Sequence, residues 1–162
     1  MITDTDLYKI AKERQIPLIE VFMKDEPPSQ IFHGGYIINL QDAAQEEGGT
    51  HFCALYIPTH QNVVCYMDSF GFPPSESTLK WLKTTAARTF SLVYNKKQIQ
   101  NIHSGGCGIY SLFFIDYMSR QPKFRPVQEC MDAFQKLFDD DTSQNLRILK
   151  KRAPYYKNSE IS

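Results

Sequence analysis

From Ile109 to Met118 the chain is apolar or aromatic at all but two positions, Ser111 and Asp116. The length of this run favours a helix over a strand, and without a polar face such a helix must be buried on nearly all sides. The rest of the chain therefore has to be arranged around it. Just ahead stands Ser104-Gly105-Gly106-Cys107-Gly108, which puts Cys107 in the helix's first turn. Unpaired N–H groups and the positive dipole end there favour an anion, and so the thiolate, which is the attacking form of cysteine. The flanking glycines permit positive φ and let a substrate chain come close. For a lone cysteine the first reading is a buried structural thiol beside a helix-starting turn. Three other features of the chain shift that balance toward a nucleophile.

The pattern elsewhere is that of short strands and helices in one domain. At 162 residues there is room for one ordinary core, not two. We place the domain at 1–152 and set 153–162 apart as a C-terminal tail, either flexible or docked on the domain or a partner protein. Eighteen basic and eighteen acidic residues cancel, so no overall field draws the chain to nucleic acid or an anionic membrane. The one basic cluster, Lys150-Lys151-Arg152, is read as complementing the C-terminal end of the last helix. No stretch is apolar and long enough to cross a bilayer, and the acidic Met1-Ile2-Thr3-Asp4-Thr5-Asp6 does not resemble a signal peptide, which predicts an intracellular protein. Cys53, Cys65, Cys107 and Cys130 are too scattered for a disulfide framework, and no CxxC or HxxxH spacing marks a metal site. No metal and no required cofactor is expected.

In order, the pattern predicts a helix capped by Thr3 or Thr5 and running to about Gln15, with Leu7, Ile10 and Ala11 inward. Strands follow over Pro17–Phe22 and Tyr36–Leu40, then a surface loop over Gln41–Thr50 leading into the site. A hairpin joins His51–Ile57 to Val63–Asp68. Ser75 caps a helix to about Arg88, with Trp81 in the core, and Phe90–Tyr94 forms a further strand. Lys97–Ile102 is a strand or an extended approach to Cys107. Two helices close the chain, Val127–Phe138 and one from Asp141 or Thr142 to Lys151.

Both hairpin strands are apolar on both faces, as in central strands covered on each side. His51 at the start of one and Asp68 at the end of the other therefore stand out. A turn centred on Thr59-His60 sets these two residues directly opposite, where the carboxylate can fix one imidazole nitrogen and leave the other as a base. An ordinary cross-strand ion pair is the plainer alternative for His and Asp by themselves. The same register puts Cys53 and Cys65 on opposite faces, as unlinked core thiols. A nucleophilic cysteine also needs a donor for the oxyanion, and Gln100 offers a side-chain amide alongside the Cys107 N–H, with Gln98 as its competitor.

Gly49-Thr50-His51, then Met67-Asp68-Ser69-Phe70-Gly71, then Gln100, then Ser104-Gly105-Gly106-Cys107-Gly108 together resemble the adenain family of cysteine proteases. These are the maturation proteases of adenoviruses, with relatives in virophages and Maverick/Polinton elements, in the same clan as the SUMO proteases. The resemblance runs from about Tyr36 to Tyr117. It implies an α/β (α+β) fold with a small central mixed sheet flanked by helices, and His51 as base, Asp68 as its orienting acid, Gln100 as oxyanion donor and Cys107 as nucleophile at the N-terminus of a buried helix. It further implies substrate contacts at Phe52, which stands where the clan usually has a tunnel-walling Trp, and at Gly105 and Gly106. Cleavage would fall at Gly-Gly or Gly-X sites in precursor capsid and core proteins, by a monomer acting at the viral assembly site and in the virion. Adenoviral relatives use DNA and a basic peptide as activators, while this chain is neutral. Two other readings remain open: a protease that removes a ubiquitin-like protein, and a catalytically silent, capsid-associated binding module.

Overall fold

The computed structural model describes residues 2–41, 51–85 and 90–155. Most of the expected loop at 41–50, the expected end of the second helix near Arg88 and the tail beyond Tyr155 lie outside them. The first helix, α1 (Asp4–Arg14), begins with a reciprocal capping box: Thr3 accepts from the Asp6 N–H, and the Asp6 carboxylate accepts from the Thr3 N–H. It ends where Gln15 turns left-handed at φ 56°.

Five strands make one sheet in sequence order: β1 (Leu18–Met23), β2 (Gly34–Asn39), β3 (Phe52–Ile57), β4 (Val63–Met67) and β5 (Ser91–Tyr94). The outer pairs, β1 with β2 and β4 with β5, are parallel, and the two inner pairings are antiparallel. The sheet is thus mixed, with β3 in the middle. β2, β3 and β4 are apolar on both faces because both faces are covered. The free edge of β1 is partly blocked by Tyr8 of α1, whose hydroxyl accepts from the Val21 N–H at 2.6 Å.

On one face lies α3 (Cys107–Ser119), with nine of its residues buried. It packs with α1, α4 (Val127–Gln135) and α5 (Asn145–Arg152) around Phe113, Phe114, Phe134 and Phe138. A Cβ on Gly35 of β2 would collide with Ile115, so glycine at that position lets α3 sit directly on the sheet. The other face carries α2 (Glu76–Thr85), capped by the Ser75 hydroxyl through the Thr78 N–H. Trp81 is core as expected: it meets Phe22 edge-on at 4.9 Å, and its indole N–H donates to the Pro28 carbonyl.

Several boundaries move. β1 and β2 shift by one or two residues. Lys97–Ile102 is an extended approach and not a strand, tied down by Ile99 and Gln100 N–H groups that both donate to the Ser69 carbonyl. α4 stops at Gln135. Asp141 caps a short 3-10 turn (Thr142–Gln144) that precedes α5. The start of the expected tail belongs to the body: Ala153 and Tyr155 are buried, and the Arg14 guanidinium lies over the Tyr155 ring. Lys150, Lys151 and Arg152 occupy the last turn of α5, where positive charge complements the helix dipole.

The hairpin register is the main correction. Ala54 pairs with Met67 and Tyr56 with Cys65, so partner numbers sum to 121 where the turn centred on Thr59-His60 requires 119. Asp68 therefore continues the ladder opposite Cys53 and diagonal to His51. Cys53 and Cys65 do lie on opposite faces, in separate halves of the core, as unlinked thiols.

Candidate active site

Cys107 is the first residue of α3, behind Gly106 at φ 102°. An L side chain is strained in that conformation, so Gly106 is required by the entry into the helix. The thiol is half-buried, and its sulfur accepts from the Phe52 backbone N–H at 3.5 Å. This contact joins the start of the central strand to the start of the buried helix. Gly108 serves packing: a Cβ there would press on Ile2, with Phe52 and Leu7 in contact.

At the same end of the sheet, His51 Nε2 and Asp68 Oδ1 are 2.8 Å apart. Asp68 is buried, and the same oxygen accepts from the Phe70 N–H at 2.8 Å. The Phe70 ring stacks on the imidazole, with centroids 4.5 Å apart and planes 20° from parallel. Burial works against a charge on His51, but hydrogen bonding to Asp68, with contributions from the Cys107 and Cys53 thiols, outweighs it and raises the imidazole's proton affinity. The ring is thus held in one plane with a carboxylate behind one nitrogen, and its other nitrogen, Nδ1, is buried.

Two buried polar side chains hold this arrangement, and neither is singled out by the sequence. Asn95, directly after β5, accepts from the Asp68 N–H at 3.0 Å and donates to the Asp68 carbonyl at 2.7 Å and to the Lys97 carbonyl at 3.1 Å. It fixes the backbone that carries the carboxylate. Ser69 donates its hydroxyl proton to Gln100 Oε1. That bond decides the orientation of the Gln100 amide, whose Nε2 then donates to the Ser104 carbonyl at 2.8 Å, in the loop leading to Cys107. An amide nitrogen carries two protons, so a second remains for another acceptor. The available signals were adjacency to Asp68 for Ser69 and, for Asn95, its place at the end of the strand paired with β4.

Of the sequence-predicted residues, His51, Asp68 and Cys107 come together, and Gln100 is linked to both the Asp68 turn and the Cys107 loop. Gln98 drops out: it is exposed, and its amide caps the Gln100 carbonyl. Phe52 is 3% exposed and packs into the core under α3, with its backbone N–H on the Cys107 sulfur. Neighbours along a strand point to opposite faces, and the aromatic ring that flanks His51 comes from Phe70 instead. Gly105 is half-buried beside Cys107, while Gly106 is buried.

The family model of the Ulp1 protease family's C-terminal catalytic domain matches residues 37–151, a span that takes in every one of these groups. The chain belongs to that family. It is therefore a cysteine protease domain, and its mixed sheet with helices on both faces is the fold of Ulp1-like cysteine proteases. The protease of Porcine adenovirus A serotype 3 is 24% identical over 164 aligned residues, covering 90% of this chain and 80% of that protein. Among solved structures, the ASFV protease pS273R superposes with a TM-score of 0.57 at 15% identity, over 92% of this chain. This chain spans 63% of that protein's length. AvrA superposes with a TM-score of 0.53, also at 15% identity, over 94% of this chain and 69% of its own. These likenesses carry the fold.

Proposed function

We propose that the protein is a cysteine endopeptidase in which Cys107 is the nucleophile, His51 the general base and acid, Asp68 the group that orients His51, and Gln100 the oxyanion donor. The observation that carries this reading is the convergence of the α3 N-terminus with the Asp68-buttressed imidazole. In the first step the Cys107 thiol proton passes to His51, and the thiolate attacks the substrate carbonyl carbon. Negative charge on the carbonyl oxygen is met by the Cys107 N–H and the second Gln100 Nε2 proton. Collapse breaks the C–N bond, and His51 gives its proton to the leaving amine. Water, deprotonated by His51, then hydrolyses the thioester and restores the thiol.

The substrates we propose are precursor capsid and core proteins of a virus, cut at Gly-Gly or Gly-X sites during virion maturation, at the assembly site and in the virion, by a monomer without a resident cofactor. Similarity to an adenoviral protease supports the viral setting. The Ulp1 family model favours a second reading, removal of a ubiquitin-like protein after its Gly-Gly terminus. Fluorogenic Gly-Gly and Gly-X peptides and a ubiquitin-like fusion, offered to wild type and Cys107→Ala, separate the two. Peptide cleavage without fusion cleavage, lost in the variant, supports maturation; cleavage of the fusion alone supports deconjugation. Repeating the panel with DNA and a basic peptide tests activation, and no cleavage under any condition leaves only a binding module.

A further inference from the structure

Peptide hydrolysis as described leaves one buried thiol at the site unused. Cys53 lies two residues along the chain from His51 and, by continuation of the β3–β4 ladder, opposite Asp68. One donor atom each from His51, Cys53 and Asp68 lies within 4.8 Å of the other two. Cys53 and Asp68 are almost wholly buried, while the His51 side chain is 20% exposed, so the imidazole edge is the route in. His51 Nδ1 is buried with no hydrogen-bond partner of normal length among the described residues.

We propose that His51, Cys53 and Asp68 form a binding site for a thiophilic divalent cation of the zinc class, and that its occupation switches the protease off. A sulfur, an imidazole nitrogen and a carboxylate oxygen are the donor types zinc takes, whereas magnesium and calcium require oxygen. Zinc bonds of about 2.0–2.3 Å set ligand atoms about 3.3–3.8 Å apart, so this cluster needs to contract by about 1 Å. Rotations of the His51 and Cys53 side chains supply that movement, and water completes the tetrahedron. On binding, the thiol proton and the proton shared between His51 and Asp68 leave to solvent. No electron is transferred, and a chelator reverses the process. An imidazole held by the metal can neither accept the Cys107 proton nor lean on Asp68. Binding itself does not depend on the proteolytic reading; inhibition, its consequence, does.

Cobalt(II) serves as the probe, in the full chain carrying Cys107→Ala so that the nucleophile cannot supply the sulfur. A near-ultraviolet sulfur-to-cobalt charge-transfer band that zinc bleaches is expected in this variant. Adding Cys53→Ser is expected to weaken cobalt binding by about tenfold or more, with an unchanged circular dichroism spectrum. No band in Cys107→Ala overturns the proposal, and so does a band that survives in a folded double variant. Should Cys53→Ser fail to fold, the single variant still decides. In the activity arm, zinc inhibition of the wild type should be reversed by chelator. Inhibition without the Cys107→Ala band means that the metal acts through Cys107, and the site falls. A band in a protein that cleaves none of the peptides or fusions supports the site while removing the protease assignment.

Discussion

His51 and Asp68 meet at 2.8 Å on a diagonal of the β3–β4 hairpin, and Asp68 is held from behind by Asn95 and from the side by the Phe70 N–H. The carboxylate is thereby fixed before any substrate arrives. Asp68→Asn keeps the shape and removes the charge that stabilises an imidazolium, so kcat/KM should fall by about 10²–10⁴-fold, the usual share of general acid–base catalysis. The variant also reports on stability. Burial opposes a charge on His51, yet Asp68, Cys107 and Cys53 raise its folded pKa above the unfolded value near 6.5. A raised histidine contributes stability that is complete below the unfolded pKa and is lost as pH rises toward the folded one. The stability difference between wild type and Asp68→Asn should therefore be largest below pH about 6 and narrow above about 6.5. Urea denaturation across that range measures it, and a gap that widens with pH contradicts the assignment.

Ser69 gives Gln100 its direction. With the hydroxyl donating to Oε1, the amide nitrogen is the end turned toward Ser104 and the Cys107 loop. Gln100→Ala should lower kcat by about 10²–10³-fold, as expected for loss of an oxyanion donor. Ser69→Ala should act through the same residue, with a smaller kcat loss, little change in KM and almost no further loss when combined with Gln100→Ala. Single-turnover acylation rates for the three variants are the measurement; simple multiplication of the two effects would show that Ser69 acts elsewhere.

The candidate site was legible in the sequence to the extent that chemistry and order restrict it, and the hairpin shows why an imperfect register still made His51 and Asp68 neighbours. Placing the turn one residue early moved the partner sum from 121 to 119. A shift of two in that sum preserves which face every side chain occupies, so His51 and Asp68 stayed neighbours and Cys53 and Cys65 stayed apart. Phe52, next to His51, packs on the α3 side of the sheet, and the ring stacked on the imidazole is that of Phe70. Asn95 and Ser69 were invisible for another reason. In the sequence they are ordinary turn polars, and only the β4–β5 pairing and the return of the chain at Ile99-Gln100 bury them. The fold's order of elements followed from periodicity and caps. Its helix ends did not, because the stops at Gln135 and the 3-10 turn at Thr142 are set by tertiary contacts, such as Asn145 bonding the Asp139 N–H and the Ile99 carbonyl.

Asn95→Ala removes both hydrogen-bonding ends of a fully buried amide. The Asp68 N–H loses its partner, whereas the Asp68 carbonyl keeps the Gly71 N–H, and a buried group left unsatisfied costs about 1–3 kcal/mol. We expect a loss of about 1–3 kcal/mol in urea denaturation, together with a fall in kcat larger than in KM, since the carboxylate's backbone is loosened. A variant as stable as wild type would mean that water replaces the amide at no cost.

Gly35 tests how α3 is seated, independently of the chemistry. A methyl group there falls against Ile115, a fully buried residue on the helix that carries Cys107. Overpacking of this kind costs about 1–3 kcal/mol, and in Gly35→Ala it should also move the α3 N-terminus relative to His51. The paired substitution Ile115→Ala removes all three side-chain atoms that the methyl group would meet, so the double variant should lose less than the sum of the two single losses, Ile115→Ala by itself destabilising by about 2–5 kcal/mol. Such a favourable coupling is the signature of direct contact in a double-mutant cycle. Thermal or urea denaturation of the four proteins measures it, and strictly additive losses would place the two residues out of contact.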